Sequence, residues 1–362
     1  MNIYYNSMLY IIIATAVIMS IMIHNSNLLE KEKKKQFIML FLLISLGALG
    51  EWFGVLFNTQ GHSIRILHII ARTVDHSVAP LLALILIKVV KEHIPKWIWT
   101  VVIIHGVLEL LSGKFGFIYN ITDDGIYEHG SFYVIFIAVY FFTFIYFLLE
   151  YLKFAKVYQR NNAFLLLSIV VFMVVGACAS LVVSDLHIGY ICVSIATVML
   201  YNYYTEIIEC TDVLTGLLNR RCYEAYVGHL TGVNTIFLFD VDDFKNINDT
   251  YGHEFGDITL KRVGDMIRSV YQKYGTCYRI GGDEFAVIAP LKIEDTMELN
   301  KQFFECVETS RRWESRLPFV SVGYALLDTS KTDFDSAVKE ADQNMYDWKV
   351  KNKFKRKQLK CE

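Results

Sequence analysis

The sequence predicts an all-α transmembrane bundle of about seven helices, followed by an α+β domain. Three observations support this fold class. Hydrophobic residues make up 54% of the 362 residues and the mean hydropathy is +0.35, which is too apolar for an ordinary soluble protein. Most of the 35 basic and 37 acidic residues follow residue 204. Beyond that point helical and strand patterns alternate. The length allows about two domains.

Seven apolar stretches are interpreted as membrane spans, at residues 3–23, 37–57, 66–87, 97–111, 132–151, 163–183 and 188–204. The fourth stretch is short and carries His105 and Glu109. The first has no basic region before it and no small-residue cleavage pattern, so it is interpreted as a retained helix. We therefore expect residues 1–204 to form a seven-helix sensory domain in a membrane, in contact with lipid.

Loop charges predict the orientation of these spans. Basic residues cluster at Lys31–Lys35, Lys88–Lys96 and Lys153–Arg160, whereas the alternate loops carry few, including none around Asp185. By the positive-inside rule, the N-terminus lies outside and the C-terminal domain lies in the cytoplasm, which requires an odd number of spans.

Ionisable residues inside the predicted spans are candidates for a sensor site. Charges in hydrocarbon are costly, so such side chains face a bundle interior or a cavity. Arg72 and Asp75, three residues apart on one helix face, can partly neutralise each other. One interpretation is an internal structural ion pair. The other is a pocket for an unknown small ligand or ion, lined by Glu51, Arg72, Asp75 and Glu109.

A short helical linker, residues 205–211, joins the membrane half to residues 212–362. A helix continuing across it would transmit movement stiffly. The linker has no room for a long coiled coil or a further sensor domain. We therefore expect any signal to arise in the membrane half or its outer loops.

The C-terminal pattern predicts strands at 235–240, 277–280, 285–289 and 319–326, and helices at 219–230, 257–271 and 334–350, with one more helix before the last strand. This order fits a split βαβ fold with a palm-like, mainly antiparallel sheet flanked by helices. The seven cysteines show no metal-ligand spacing, so we expect reduced or membrane-buried thiols and no disulfide framework. The net charge of −2 gives no support for a nucleic-acid partner.

Carboxylates cluster at two predicted strand ends. Asp240 and Asp242 close an apolar run, and Asp283 and Glu284 follow Gly281-Gly282 about forty residues later. The two glycines are expected to permit a tight turn that no side chain obstructs. Brought together, such carboxylates can hold Mg²⁺ against the phosphates of a nucleotide. The pattern therefore indicates phosphoryl-transfer chemistry.

Five ordered motifs resemble the GGDEF diguanylate cyclases over about 150 residues, namely Asp212–Arg221, Asp240–Lys245, Asn248–His253, Gly256-Asp257 and Arg279–Phe285. The resemblance implies a bacterial enzyme that condenses two GTP into cyclic di-GMP with release of two pyrophosphates. It also implies a homodimer, because each protomer holds one GTP. The membrane half is loosely similar to the seven-helix sensory regions of bacterial receptors.

The motifs also suggest roles for individual residues. The Asp240 carboxylate and the Val241 carbonyl can ligate metal, and the resemblance implies that Glu284 does so while Asp283 assists deprotonation of the attacking 3′-hydroxyl. Asp283 is also a candidate metal ligand, and Asp283 and Glu284 are the candidate catalytic residues. Two Mg²⁺ ions per site are implied, with Mn²⁺ as a substitute. The remaining candidates are guanine-reading Asn248 and Asp257, phosphate-binding backbone at Phe244 and Lys245, and phosphate-gripping Lys349 and Lys353.

Two departures from the family pattern lead to further expectations. Lys353 stands where the family has arginine, so we expect weaker GTP binding because the bidentate fork is lost. Gln272 and Gly275 replace the arginine and aspartate of the family's product-binding motif, so no inhibitory product site is expected.

Two other functions were weighed. One is a catalytically silent receptor for GTP or cyclic di-GMP, but such relatives usually lose the acidic residues that are present here. The other is a transporter or channel with a regulatory domain, which repeated spans with broken helices would indicate. No internal repeat of that kind is found.

Overall fold

The fold is described from a computed structural model, which covers residues 3–58, 62–91, 93–157, 163–182 and 187–358. The chain divides into two compact units, Met1–Ile208 and Glu209–Glu362, which are treated separately below.

The N-terminal unit is built from helices. They are α1 (Ile3–Asn25), α2 (Lys31–Phe57), α3 (Arg65–Val90), α4 (Lys96–Phe115), α5 (Tyr133–Val157), α6 (Ala163–Val182) and α7 (Gly189–Cys210), with a short 3₁₀ turn at His62–Ile64. Within the described ranges, α1 to α5 and α7 contain segments long and apolar enough to cross a membrane, and α6 contributes a shorter apolar stretch, Leu167–Gly176. Six candidate spans are therefore found, and the expected count of seven is not confirmed.

Glycines on α2 allow its neighbours to approach closely. Gly47 faces the ring of Tyr190 and Gly54 faces the guanidinium of Arg72, while an added Cβ at Gly50 would lie 3.0 Å from the backbone of α3. Small residues at helix contacts are a common means of close packing in membranes, because the hydrophobic effect does not drive helices together there. These contacts bring α2, α3 and α7 together around their polar side chains.

A small hairpin lies between α4 and α5, where the sequence predicted only a loop. Strand β1 (Tyr119–Ile121) pairs antiparallel with β2 (Tyr127–His129). The Ser112 hydroxyl at the end of α4 accepts hydrogen bonds from the amides of Ile118 and Tyr119, at 2.8 and 2.9 Å. The hydroxyl therefore fixes the start of β1 against the end of α4.

The C-terminal unit is an α+β domain. Its elements are β3 (Leu218–Asn219), α8 (Arg220–Val227), β4 (Val233–Val241), α9 (Phe244–Tyr251), α10 (His253–Tyr271), β5 (Thr276–Arg279), β6 (Glu284–Ala289), α11 (Ile293–Trp313), β7 (Val320–Asp328) and α12 (Phe334–Gln358). The strand order is β3-β5-β6-β4-β7. All neighbours are antiparallel except β3 and β5, so the sheet is mixed. The order of its last four strands is that of a split βαβ fold.

The central strand β4 is buried on both faces, which explains its continuous apolar sequence. Phe237 and Phe239 pack on one side with Tyr271, whereas Ile236 and Leu238 pack on the other. Burying each such side chain contributes about 1.5–3 kcal/mol. The core therefore holds rigidly the strand that ends at Asp240.

Two cysteines of this unit are paired. Cys210 and Cys222 form a disulfide with a Cα–Cα distance of 5.4 Å, so the expectation that the cysteines are unpaired was wrong for this pair. Asn219 supports the same contact, because its Nδ2 donates to the Glu209 carbonyl at 2.7 Å and its Oδ1 accepts from the Cys222 amide at 3.1 Å. The Arg221 guanidinium adds a 2.9 Å bond to the Glu209 carboxylate. These contacts tie the segment after Ile208 to α8.

Candidate active site

The two acidic segments meet at one end of the sheet. Asp240, near the end of β4, pairs in register with Glu284, the first residue of β6. The Val241 amide also donates to the Asp283 carbonyl at 3.2 Å. The side-by-side arrangement predicted from the sequence is therefore present in the strand register. It rests on the backbone hydrogen bonds of two buried strands.

The glycines of the turn have different surroundings. Neither Gly281 nor Gly282 has a positive φ, so the turn does not depend on the left-handed backbone that glycine favours. A Cβ at Gly281 would lie 2.5 Å from Oε2 of Glu284, so this glycine leaves room for the carboxylate. A Cβ at Gly282 would meet nothing within 4 Å. Among the described residues, no neighbour requires glycine at that position.

A partly buried arginine holds the turn. Arg279 Nη1 donates to both carboxylate oxygens of Asp212, at 3.1 and 3.2 Å, and Nη2 donates to the Gly282 carbonyl at 2.8 Å. Asp212 Oδ1 also accepts from the amide and hydroxyl of Thr215, at 2.8 and 2.7 Å. Burial raises the pKa of Asp212, but these donors outweigh burial and lower the pKa overall. The sequence reasoning quoted Asp212 only as part of a motif and missed this positioning role.

Lys349 of α12 reaches the candidate metal ligand. Its Nζ lies 2.5 Å from Oδ1 of Asp240 and 4.0 Å from Oδ1 of Asp242. Burial, together with the charges of Asp283 and Asp242, raises the pKa of Asp240 despite this lysine. Burial lowers the pKa of Lys349, but the bond to Asp240 outweighs it and raises the pKa. A cation therefore already occupies the position where carboxylate charge is concentrated.

The phosphate-binding candidates occupy the start of α9. Phe244 and Lys245 are its first two residues, and the first amides of a helix have no acceptor within the helix. Asp243, just before them, has a positive φ of 55°, which turns the chain sharply from β4 into α9. Phe244 packs against the core and Lys245 is exposed. The amides, rather than the phenylalanine ring, are thus available to a phosphate.

The guanine-reading candidates lie on consecutive helices. Asn248 is on α9 and Asp257 is on α10, and Gly252, with a φ of 84°, separates the two helices. The side-chain oxygen of Asn248 contacts Gly256, where any Cβ would collide with it. Gly256 therefore leaves room for the Asn248 side-chain amide directly before Asp257. The Asp257 side chain is exposed.

Lys353 lies on α12, four residues beyond Lys349, but its side chain is outside the described part of the structure.

The residues present fit a magnesium site that the substrate completes. Within the described ranges, no three Asp, Glu, His or Cys side chains form a group able to hold a metal unaided. Mg²⁺ is usually bound by one or two carboxylates together with substrate phosphates, so a complete protein cage is not needed. The Asp240 carboxylate, the Val241 carbonyl and the Glu284 carboxylate would be the protein ligands. The ammonium of Lys349 at Asp240 marks the same position with a stand-in charge.

The sensor candidates fall into two groups in the N-terminal unit. Glu51, Arg72 and Asp75 line one cavity. Glu109 is not among the residues that line it. Its fully buried carboxylate lies 3.2 Å from His76 Nδ1 and 3.6 Å from His105 Nε2. The structure therefore brings together three of the four candidates.

Comparison with known families identifies the class of the C-terminal unit. Residues 209–355 match the family described as diguanylate cyclase, GGDEF domain. The C-terminal unit is a GGDEF domain with diguanylate cyclase homologues. The several apolar helices before it are consistent with a membrane sensory region.

Individual relatives match over this domain. Diguanylate cyclase VdcA of Vibrio cholerae serotype O1 is 31% identical over 150 residues, covering 38% of this chain and 43% of the relative. Diguanylate cyclase DgcS of Shewanella oneidensis is 33% identical over 147 residues, covering 38% and 49%. The chain thus spans less than half the length of these two curated relatives. The crystal structure of diguanylate cyclase SiaD with its activator SiaC from Pseudomonas aeruginosa aligns with a TM-score of 0.38 and 26% identity, over 42% of this chain and 63% of that chain.

Proposed function

We propose that this protein is a membrane-bound diguanylate cyclase, which condenses two GTP into cyclic di-GMP and two pyrophosphates. The observation that carries the proposal is the pairing of Asp240 with Glu284 at adjacent strand ends. This pairing places one carboxylate from each of the two acidic segments at the end of the sheet where helix α9 begins. In this proposal the bound nucleotide occupies the open space beside Gly282, where a Cβ would meet nothing within 4 Å.

In this proposal, each GGDEF domain binds one GTP both by its guanine base and by its phosphates. Asn248 and Asp257 hydrogen-bond the guanine, because a carboxylate accepts from the N1–H and the exocyclic amine together. The amides of Phe244 and Lys245 bind phosphate oxygens at the start of α9. Lys349 moves from Asp240 to the triphosphate, and Lys353 assists with a point charge.

The reaction joins two nucleotides twice. The 3′-oxygen of one GTP attacks the α-phosphorus of the other, the bond from that phosphorus to the β-phosphate bridge breaks, and pyrophosphate leaves. Asp283 accepts the proton of the attacking hydroxyl. Asp240, Val241 and Glu284 bind two Mg²⁺ or Mn²⁺ ions, which supply charge neutralisation of the triphosphate and activation of the hydroxyl. Arg279 keeps Gly282 and the turn in place during these steps.

The reaction requires a homodimer, because each active site supplies only one of the two nucleotides. Control of the dimer is therefore the point at which a signal from the membrane unit acts. In the proposed topology α6 crosses the membrane as a seventh span, so that the N-terminus lies outside and the GGDEF domain is cytoplasmic, as the basic loops favour.

Product inhibition through the family's usual site is absent in this proposal. A Cβ at Gly275 would lie 2.6 Å from the Ile288 carbonyl and 2.7 Å from the Ala289 Cβ. The aspartate of the family motif therefore has no room here without a shift of β6. Gln272, at the end of α10, replaces the arginine.

The test uses the full-length protein in lipid nanodiscs with GTP and Mg²⁺, and product is identified by mass spectrometry. Cyclic di-GMP should form with the unaltered protein and with Glu308→Gln, an exposed carboxylate on α11 that serves as the matched control. Glu284→Gln and Asp283→Asn should lose at least about 100-fold in rate. GTP binding without product in the unaltered protein would instead support the silent receptor.

A further inference from the structure

The N-terminal unit contains a cavity of about 240 Å³ between α2, α3, α5, α6 and α7, with β2 at one end. An engineered apolar cavity of about 150 Å³ holds benzene, so this one has room for roughly ten non-hydrogen atoms. Its lining extends along α3 from Arg72 to Leu86, which corresponds to about 21 Å at 1.5 Å per residue. The cavity is therefore long and narrow.

The two ends of the cavity differ in chemistry. One end carries Glu51, Arg72 and Asp75, which together form a set of charged groups. Toward the other end the α3 lining is Ala79, Leu82, Ala83 and Leu86, and α5 adds a stripe of aromatic side chains. A molecule that fits must be polar at one end and apolar at the other.

The carboxylates at the polar end already have partners. Glu51 Oε1 lies 3.0 Å from His187 Nδ1, and this hydrogen bond raises the pKa of His187. A protonated His187 can therefore balance the negative charge of Glu51. Asp75 Oδ1 accepts from the Tyr190 hydroxyl at 2.9 Å. The other oxygen of Asp75 is 3.7 Å from Arg72 Nη1, which is too long for a good hydrogen bond.

Arg72 is the group whose bonding is incomplete. Its guanidinium lies against the Tyr127 ring, 4.5 Å from the centroid, and against Gly54, where a Cβ would come within 2.8 Å of Cζ. Its Nε faces Gly54, where a Cβ would lie 2.7 Å away, and has no hydrogen-bond partner among the residues that the structure describes, so a ligand in the cavity would be bound by the two Nη atoms. A buried guanidinium is best satisfied by a carboxylate, which accepts two parallel hydrogen bonds.

Charge balance then selects the class of ligand. A carboxylate bound to Arg72 would compete with Asp75, whose Oδ2 lies 3.7 Å from Arg72 Nη1. An under-compensated buried charge is costly, even with the imidazole of His76 in the same lining. A ligand that also carries an ammonium next to its carboxylate restores the balance. We propose that the cavity binds an apolar α-amino acid, with its zwitterionic head between Arg72 and Asp75 and its side chain between α3 and α5.

Binding of an amino acid in this cavity does not depend on cyclase activity, although a role of the amino acid as the signal rests on the proposed function. Isothermal titration calorimetry on the full-length protein in nanodiscs separates the two, because it measures binding without turnover. The probes are valine, leucine and methionine, with 4-methylpentanoate and 3-methylbutylamine as analogues of leucine that lack the ammonium or the carboxylate. At least one amino acid should bind, and for leucine both analogues should bind at least about tenfold more weakly.

Two variants locate the site. Arg72→Gln should weaken binding of the amino acid at least about tenfold, and Ala83→Phe should block the apolar end. Ala138→Phe, an exposed position on α5 outside the cavity, is the matched control and should bind like the unaltered protein. Failure of all three amino acids to bind would overturn the proposal, as would equal affinity for 4-methylpentanoate and leucine. Binding that survives Ala83→Phe unchanged would overturn it as well, even if Arg72→Gln does not fold.

Discussion

Replacing the two turn glycines one at a time tests two separate roles. Gly281 leaves room for the Glu284 side chain, and Gly282 is proposed to leave room for the substrate. In Gly281→Ala, the new Cβ would lie 2.5 Å from Oε2 of Glu284, whereas the usual contact distance is about 3.5 Å, so the carboxylate must move by about 1 Å. A displacement of that size at a catalytic group costs about 100-fold in rate, or about 2.7 kcal/mol. We therefore expect kcat/KM of Gly281→Ala to fall about 100-fold.

Stability should respond quite differently. The Glu284 side chain is exposed and can rotate away, so the free energy of unfolding of Gly281→Ala should change by less than about 0.5 kcal/mol. Gly282→Ala meets nothing within 4 Å and should be as stable as the unaltered protein or more stable by up to about 1 kcal/mol. Its activity should nevertheless fall, because we assign the open space at Gly282 to the bound nucleotide.

The assay is the initial rate of cyclic di-GMP formation in nanodiscs over a range of GTP concentrations, beside thermal unfolding of the same samples. Gly228→Ala is the matched control, since it ends α8 in a helical conformation and its Cβ would meet only the Ala225 carbonyl, at 3.9 Å. If Gly281→Ala kept full activity, the position of the Glu284 carboxylate could not be what the turn preserves. If Gly282→Ala kept full activity, the assignment of that space to the nucleotide would be refuted.

Three further predictions concern the surroundings of the turn. Lys349→Gln should raise the KM for GTP about tenfold. The same variant should bind Mn²⁺ more tightly in the absence of nucleotide, because the ammonium no longer competes with the metal for Asp240. Electron paramagnetic resonance measures the Mn²⁺ binding. Asp212→Asn should lower the melting temperature by a few degrees at pH 7, because it removes the charge paired with Arg279. The lowered pKa of Asp212 means that its stabilisation is complete above the ordinary pKa of 3.8 and is lost as pH falls through the lowered value, so the two proteins should converge in melting temperature on acidification. Cyclic di-GMP should not inhibit the enzyme noncompetitively, because Gly275 leaves no room for the family's aspartate; steady-state kinetics with added product test this.

Three outcomes would contradict these expectations. Unchanged Mn²⁺ affinity in Lys349→Gln would show that the lysine does not compete with metal. A constant difference in melting temperature between Asp212→Asn and the unaltered protein at all pH values would remove the charge pair as the cause. Noncompetitive inhibition by product would show that another surface of the domain binds cyclic di-GMP.

Strong local signals allowed the sheet to be predicted. Strands β4 and β6 are continuous apolar runs with an acidic residue at the end of β4 and at the start of β6, and both lie within one or two residues of their expected bounds. Strand β3 was missed because it is two residues long and exists only through its pairing with β5. Helix α9 is absent from the predicted elements because it is only eight residues long, which is too short for its apolar residues to establish a helical period.

The site was predictable only as far as its motifs extend along the chain. Asp240 and Glu284 could be paired from the expected strand order, but the contact of Asp212 with Arg279 joins segments whose proximity no local pattern encodes. In the membrane unit, charge inside apolar stretches identified the cavity-lining Glu51, Arg72 and Asp75. Glu109 lies apart because it contacts His76 on α3 and His105 one turn earlier on α4. A single sequence does not place these side chains relative to one another.

The lysine bound to Asp240 has a consequence for how the enzyme responds to the ionic composition of the cell. A metal ion arriving alone meets a carboxylate that is already neutralised. Its apparent affinity is the intrinsic affinity multiplied by the fraction of molecules in which Lys349 has moved away. A metal ion arriving on a triphosphate brings the anion that draws the same lysine aside. The resting protein would thus ignore ordinary variation in free magnesium and respond to the concentration of the magnesium–nucleotide complex, which links output to nucleotide supply.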